Sequence, residues 1–434
     1  MKRKHITPYI IIFLTFLTTI FLGAILLVLP ISMKNRSSMG FVNALFMSTS
    51  CVCVTGLSVY SDVASNLSIF GQVVMMLLIE IGGLSFLTIM TFVFYLLGLK
   101  IGISERYLLK EALNQNSTSG ILKLIYRTII ISIIIQTLGT LINFIVFIPI
   151  YGAKGIYISL FHAVSAFNNA GFDILGNGNS LISFSNNILL NLNTMALIIL
   201  GGLGFIVIYD LISFRKNKKL KLHTKIVLSV STFLIVVGAI LLKISMPGIT
   251  WLEAFFQSVT ARTAGFASID MSRLNSAGTL IMIFLMFIGA SPCSTGGGLK
   301  TTTFFVIIVY ILSFAKGKSP RIGYRKISNQ SLFKAFALVT FSIIYLCFAI
   351  FLMSLCENGV GLKEITFESV SAFATVGLSM NLTPTLHIAS KLILCATMFI
   401  GRLGPLTVIS IMNNNWTRAS KEEINYVEEN IIIG

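Results

Sequence analysis

Four times along this chain a segment of about ten residues opens with Phe, carries Ser or Thr within it, and closes on Gly followed by a bulky apolar residue. The segments run from Phe46 to Gly56-Leu57, Phe161 to Gly171-Phe172, Phe256 to Gly265-Phe266 and Phe367 to Gly377-Leu378, the third being one residue shorter. A second landmark follows each. Ile81-Gly82-Gly83-Leu84, Leu200-Gly201-Gly202-Leu203, Ile288-Gly289-Ala290 and Ile400-Gly401-Arg402-Leu403 lie 26, 30, 24 and 24 residues beyond the first glycines. Recurrence at matched spacing marks one structural unit used four times.

Each short segment lies between two long apolar runs. The runs cover 9–29, 69–98, 124–150, 188–212, 226–242, 280–289 with 301–314, 333–355 and 388–412. About 20 apolar residues span the hydrocarbon core as a helix, so eight spans are expected. Only 11% of the 434 residues are charged and the mean hydropathy is +0.91, which excludes an ordinary soluble domain. The first run is too long for the core of a signal peptide and reads as a retained span.

The net charge of +17 does not point to nucleic acid, because its placement is periodic. Residues 2–4, 100–127, 215–225 and 316–334, with Arg418 and Lys421, hold 22 of the 32 basic residues, in alternate connections. Lys and Arg mark the cytoplasmic side, so both termini are expected there, with the basic loops against anionic membrane lipid. The short segments then lie on the outer side. Too short to cross, they read as re-entrant helices that return as extended chain, which is tolerated only where protein buries it or water reaches it.

The fold expected is an all-α membrane protein of four pseudo-symmetric helix–pore loop–helix repeats around a central pore. The repeats occupy 1–98, 99–213 with its preceding cytoplasmic loop, 214–314 with a broken second span, and 315–412, followed by a cytoplasmic tail, 413–434. Four loops meeting on an axis would line it with carbonyl oxygens, which replace the hydration shell of a cation. Gly56, Gly171, Gly265 and Gly377 suit such a lining, and helix C-termini aimed at them add partial negative charge. Asp173, Glu253, Glu364 and Glu368 fall at unequal repeat positions, so no acidic ring is expected. No His, Glu, Ser or Cys set is arranged for catalysis, and Cys51, Cys53, Cys293, Cys347, Cys356 and Cys395 read as membrane-packed residues. A P-loop is excluded at Gly296–Gly298 for want of Gly-Lys-Ser/Thr. Neither an enzyme nor a cofactor protein is expected.

The stretch from Ala290 to Thr301 interrupts the sixth span. Pro292 and three consecutive glycines, Gly296, Gly297 and Gly298, with Ser294 and Thr295 before them, cannot remain a mid-membrane helix. A polar break in a pore-side span is a place where conduction can be controlled. Lys300 and Arg402 are the basic residues placed inside spans, where charge is costly and therefore informative. Glu80 reads equally as a proton or sodium site and as a contact to a subunit or basic partner. Asp210 reads as an interfacial anchor, and His162 and His223 lack metal-ligand partners at useful spacing.

These residues resemble the Trk/Ktr/HKT superfamily of potassium transporters, most closely its KtrB-type membrane subunits, over essentially the whole chain. The resemblance is carried by Val54-Thr55-Gly56-Leu57, Asn168-Asn169-Ala170-Gly171-Phe172, Arg262-Thr263-Ala264-Gly265-Phe266 and Thr375-Val376-Gly377-Leu378. It implies a selectivity filter at Val54, Thr55 and Gly56; Asn169, Ala170 and Gly171; Thr263, Ala264 and Gly265; and Thr375, Val376 and Gly377, with the potassium ion at the four glycines. Sodium-preferring members often carry Ser where Gly56 stands. It further implies a gate made by Ser294 to Gly298, Lys300 and Arg402, with Arg402 facing the pore and touching the loop. A homodimer in the plasma membrane, a cytoplasmic nucleotide-binding regulatory ring and sodium dependence follow from the same resemblance. A secondary transporter of ammonium or sodium using broken helices is the alternative.

Overall fold

The computed structural model describes residues 8–97, 99, 101–112, 119–176 and 178–404. The described chain is helical apart from a two-stranded hairpin, Arg321–Ile322 with Arg325–Lys326. In chain order the helices fall into groups that each contain one long, one short and one further apolar helix. The first group is α1 (Pro8–Val28), α2 (Phe41–Val52), the single turn α3 (Val63–Asn66), α4 (Ile69–Leu84) and α5 (Phe86–Leu96). A connecting helix, α6 (Ile103–Ala112), leads to α7 (Ile121–Tyr151), α8 (Lys154–Phe167), α9 (Ile188–Leu203) and α10 (Phe205–Asn217). Next come α11 (Leu222–Ser245), α12 (Trp251–Thr260), α13 (Ser276–Phe287) and α14 (Thr301–Ala315). The last group is α15 (Asn329–Cys356), α16 (Leu362–Phe373) and α17 (Ile388–Leu403).

Among the described residues, α1, α7, α11 and α15 are each long and apolar enough to cross a membrane alone. Lipid-facing positions show why. On α7, Ile133, Ile134, Leu138, Leu141 and Ile145 are all exposed, a stripe that only an apolar solvent would accept. The short helices are the reverse. Phe46, Phe161, Phe256 and Phe367, which open the four recurring segments, are at most 1% exposed. Short helices and long ones dock through small residues. A methyl group at Gly23 on α1 would meet the Ser48 hydroxyl and Leu78, and one at Gly238 on α11 would meet the Ser258 hydroxyl and Leu285. Ser48 and Ser258 in turn donate to Ile20 O (2.7 Å) and Ile235 O (2.8 Å) on those helices. Close approach lets dispersion and hydrogen bonds hold helices together where lipid supplies no hydrophobic drive.

The helices α4, α9 and α13 start from side-chain caps. Ser68, Asn187 and Asn275 accept from the amides of Gly71 (3.2 Å), Leu190 (3.0 Å) and Gly278 (2.7 Å), satisfying N–H groups that a helix start leaves free. The apolar runs 69–98 and 188–212 each read as one helical span, and here the structure differs. The chain bends by 91° between α4 and α5 and by 101° between α9 and α10. At the bends Ser85 (φ 71°, ψ 131°) and Gly204 (φ 91°, ψ 139°) take a conformation that ends a right-handed helix at once. Gly404 does the same after α17 (φ 83°, ψ 140°), and the residues beyond it, including the tail 413–434, lie outside the described residues. Hydrophobicity continues through each bend, so the apolar run alone carries no sign of it. The sixth run is broken between α13 and α14, by residues 288–300.

Candidate ion path and loop beneath it

All four short helices end in one backbone pattern. The residue two before each glycine has positive φ: Val54 (56°), Asn169 (60°), Thr263 (73°) and Thr375 (51°). The glycines are positive as well: Gly56 (98°), Gly171 (69°), Gly265 (80°) and Gly377 (91°). Between them, the amides of Thr55, Ala170, Ala264 and Val376 turn back to helix carbonyls. They donate to Ser50 O (2.7 Å), Ser165 O (2.8 Å), Thr260 O (2.9 Å) and Ser371 O (2.8 Å). This is a helix C-cap with a left-handed residue after the last turn, a place usually given to Gly. Three of the four residues there, Val54, Thr263 and Thr375, are β-branched, so surrounding contacts hold the backbone where these residues rarely go.

The glycines close a ring in chain order. A methyl group on Gly56 would lie nearer than 3.0 Å to the carbonyl oxygen of Ala170, one on Gly171 to that of Ala264, one on Gly265 to that of Val376, and one on Gly377 to that of Thr55. Each loop therefore lays its glycine against the peptide oxygen of the next, and the fourth returns to the first. Only glycine permits that approach. Above the ring opens a cavity of about 210 Å³, lined by the four glycines and by Asp62, Asp173, Asp270, Ser379, Asn381 and Thr383. The three carboxylates come from three different groups of helices. Burial raises the Asp173 carboxyl to about 6, and the neighbouring charge of Asp62 pushes the same way.

Below the ring lies the broken segment. A methyl on Gly296 would run into the Thr263 side chain, and one on Gly297 into that of Thr375, so the triple glycine sits flush under two of the loops. Its backbone is pinned to α9 and α10: Ser291 N donates to Gly202 O (3.0 Å), Thr295 N to Gly201 O (3.2 Å) and Phe205 N to Cys293 O (2.9 Å). Thr295 Oγ1 reaches Phe167 O at the end of α8 (3.2 Å), and Ser294 Oγ donates to Ser291 O (2.6 Å). Lys300 does not run out to the membrane surface. Its Nζ folds back onto Gly296 O (2.8 Å) and Gly297 O (3.4 Å). Arg402 donates to Thr295 O and to Gly82 O, and lies 3.4 Å from Gly83 O. Gly82 and Gly83 are in the last turn of α4, where the bend leaves carbonyls without helical partners, so the guanidinium caps one helix and holds the loop at once.

The chain matches the model of the TrkH family, described as a cation transport protein, over residues 2–416. The chain belongs to the TrkH cation-transport family. It is accordingly a multi-pass membrane transport protein and not an enzyme. It is 40% identical to the potassium/sodium uptake protein NtpJ of Enterococcus hirae, covering all of this chain and 98% of that one. To the Ktr system potassium uptake protein B of Bacillus subtilis it is 38% identical, again over the full chain and 98% of the relative. The crystal structure of the potassium transporter TrkH from Vibrio parahaemolyticus superimposes with a TM-score of 0.76 at 15% identity, over 96% of this chain and 87% of that one, which shows a shared fold.

The structure brings Gly56, Gly171, Gly265 and Gly377 with the peptide oxygens of Thr55, Ala170, Ala264 and Val376 to one ring, with Val54, Asn169, Thr263 and Thr375 preceding those peptides, and it sets the segment Ser294 to Gly298, held by Lys300 and Arg402, beneath two of the loops. Arg262 and the vestibule acids escape a reading of the sequence, while Glu80 and Asp210 take partners that it does not name. Arg262 is a third deeply buried basic residue, 8% exposed, bonded to Ser231 Oγ (3.1 Å). Its position in a re-entrant segment hid it from a count of charges in spans. Among the described residues Glu80 has amide partners, Gln136 Nε2 (3.1 Å) and Asn168 Nδ2 (2.6 Å). Asp210 caps α11, accepting from Lys221 N (2.9 Å) and Thr224 Oγ1 (2.7 Å). The vestibule acids lie 6, 2 and 5 residues after their glycines, so no shared offset announces them. Among the described residues no group of three His, Cys, Asp or Glu could hold a metal ion.

Proposed function

We propose that this chain is the ion-conducting membrane subunit of a Ktr-type potassium-uptake system. In this reading its four groups of helices are helix–pore loop–helix repeats with eight spans and both termini in the cytoplasm. The observation that carries it is the closed ring of four glycines and four neighbouring peptide oxygens, reached from the outside through an acidic cavity. Such oxygens can take the place of water around a monovalent cation, and glycine leaves the lumen free of side chains. Potassium is favoured by the names of the two full-length relatives, one of which also names sodium. The layer formed by Gly296 to Gly298 lies across the inner end of the path and acts as its gate, with Arg402 as the clasp. The protein works as a homodimer in the plasma membrane and docks a cytoplasmic nucleotide-binding regulatory subunit, consistent with a relative named as component B of a Ktr system.

The test is growth at limiting potassium in cells lacking their own uptake systems, with and without sodium. Rescue is expected, and competitive uptake should favour potassium over sodium. Rescue at limiting ammonium with none at limiting potassium would instead favour a secondary transporter.

A further inference from the structure

The four loops are braced from behind by one hydroxyl each, at equivalent positions, but in two different ways. In the first and fourth loops the glycine amide donates to the hydroxyl: Gly56 N to Ser50 Oγ and Gly377 N to Ser371 Oγ, both 3.1 Å. In the second and third loops the hydroxyl donates to the carbonyl after the glycine: Ser165 Oγ to Phe172 O (2.7 Å) and Thr260 Oγ1 to Phe266 O (2.8 Å). The division follows the sequence, since the first pair reads Gly-Leu and the second Gly-Phe. It has a geometric consequence. A trans peptide points its N–H and C=O in opposite directions. A hydroxyl behind the loop that holds the Gly56 or Gly377 amide therefore turns the carbonyl of Thr55 or Val376 toward the axis. A hydroxyl that holds the Phe172 or Phe266 carbonyl turns that oxygen away from it.

We propose that Ser50 and Ser371 aim two oxygens of the inner ring at the ion, while Ser165 and Thr260 withdraw two oxygens from the outer mouth. The outer position is then ligated from one side only, by the carbonyls of Leu57 and Leu378 on adjacent loops. A potassium ion there keeps part of its water and is held loosely. Dehydration and discrimination occur one step deeper, at the oxygens of Thr55, Ala170, Ala264 and Val376. These four hydroxyls are positioning residues, and the inference rests on the reading of the glycine ring as the ion path.

The experiment compares two pairs of variants of the full-length protein by potassium uptake and sodium competition in cells lacking other uptake systems. Membrane abundance is measured by quantitative blotting. Ser165→Ala and Thr260→Val free an outer carbonyl to face the ion, and the half-saturating potassium concentration is expected to fall about five-fold at unchanged maximal rate. Ser50→Ala and Ser371→Ala release an inner peptide, and the potassium-over-sodium preference is expected to fall about five-fold with little change in half-saturation. Ser165→Thr and Thr260→Ser keep the hydroxyl and should match the unsubstituted protein. The same change in all four hydroxyl-deleted variants, or unchanged half-saturation in Ser165→Ala and Thr260→Val at normal abundance, would make the hydroxyls uniform struts and overturn the inference. Gly56→Ser serves as the separate check on the path itself. If its ion preference is unchanged, the ring is not the filter, and that failure is read independently of the hydroxyl pairs.

Discussion

Ser85 stands where the bend after α9 and the end of α17 use glycine. Its φ of 71° and ψ of 131° nearly match Gly204 and Gly404, and a side chain in that region costs of order 1–3 kcal/mol. Glycine adds about 0.5–1 kcal/mol of unfolded-state freedom, so Ser85→Gly should stabilise by about 1 kcal/mol. A thermal-unfolding assay in detergent should show a rise of a few degrees with uptake retained. The opposite holds at Gly401, where a methyl would press into the backbone of Phe373 at nearer than 3.0 Å. Gly401→Ala should cost about 3 kcal/mol or more and deplete folded protein in membranes. Gly248, with nothing within 4 Å of an added methyl, should accept Ala with little change. The recurring pattern singles out Gly401 and is silent on Gly204, Gly248 and Gly404, because which glycine is indispensable depends on what each faces in the folded chain.

The segment between α13 and α14 is the element with the clearest sequence signal and the densest set of ties. Pro292 and Gly296 to Gly298 announced that a helix could not run through it. They could not announce its partners, because Gly201, Phe167 and Arg402 come from three other helices. The bends after α4 and α9 were silent for a different reason: Phe86 and Phe205 continue the apolar run on the far side. Charge-assisted hydrogen bonds are worth about 1.5–3 kcal/mol each, so the Arg402 clasp is the tie whose loss should matter most. Arg402→Gln should favour displacement of the loop and raise uptake about ten-fold at limiting potassium. Removing Ser294 to Gly298 should raise flux further. Reduced flux in either variant at normal abundance would assign the segment a supporting role instead.

At the scale of the whole molecule, the proposed topology divides charge across the membrane. The chain carries +17 overall, concentrated in alternate connections, yet the cavity over the glycine ring is lined by Asp62, Asp173 and Asp270. The two facts have different origins. The basic loops follow from the rule that fixes orientation and are legible as a simple count along the chain. The acids converge only because loops of different length fold back over one mouth. Their field gathers cations at the mouth without adding a ligand to the ring, so it should change the rate of arrival and not the preference between ions. For scale, two unit charges about 8 Å apart in water interact by about 0.5 kcal/mol, or roughly a factor of two in local cation concentration. Asp173 makes this effect adjustable. With its carboxyl raised to about 6, it is ionised at pH 7 and largely protonated at pH 5, so acidification removes a negative charge. Uptake at sub-saturating potassium should therefore fall about two-fold between external pH 7 and pH 5, while the maximal rate stays constant. High ionic strength should flatten that difference, since the Debye length falls to about 3 Å at 1 M salt. Asp173→Asn should abolish it and leave uptake near the acidic value throughout. An undiminished pH response in Asp173→Asn would mean that the proton acts on another group, and that the vestibule carboxylates do not govern how ions reach the ring.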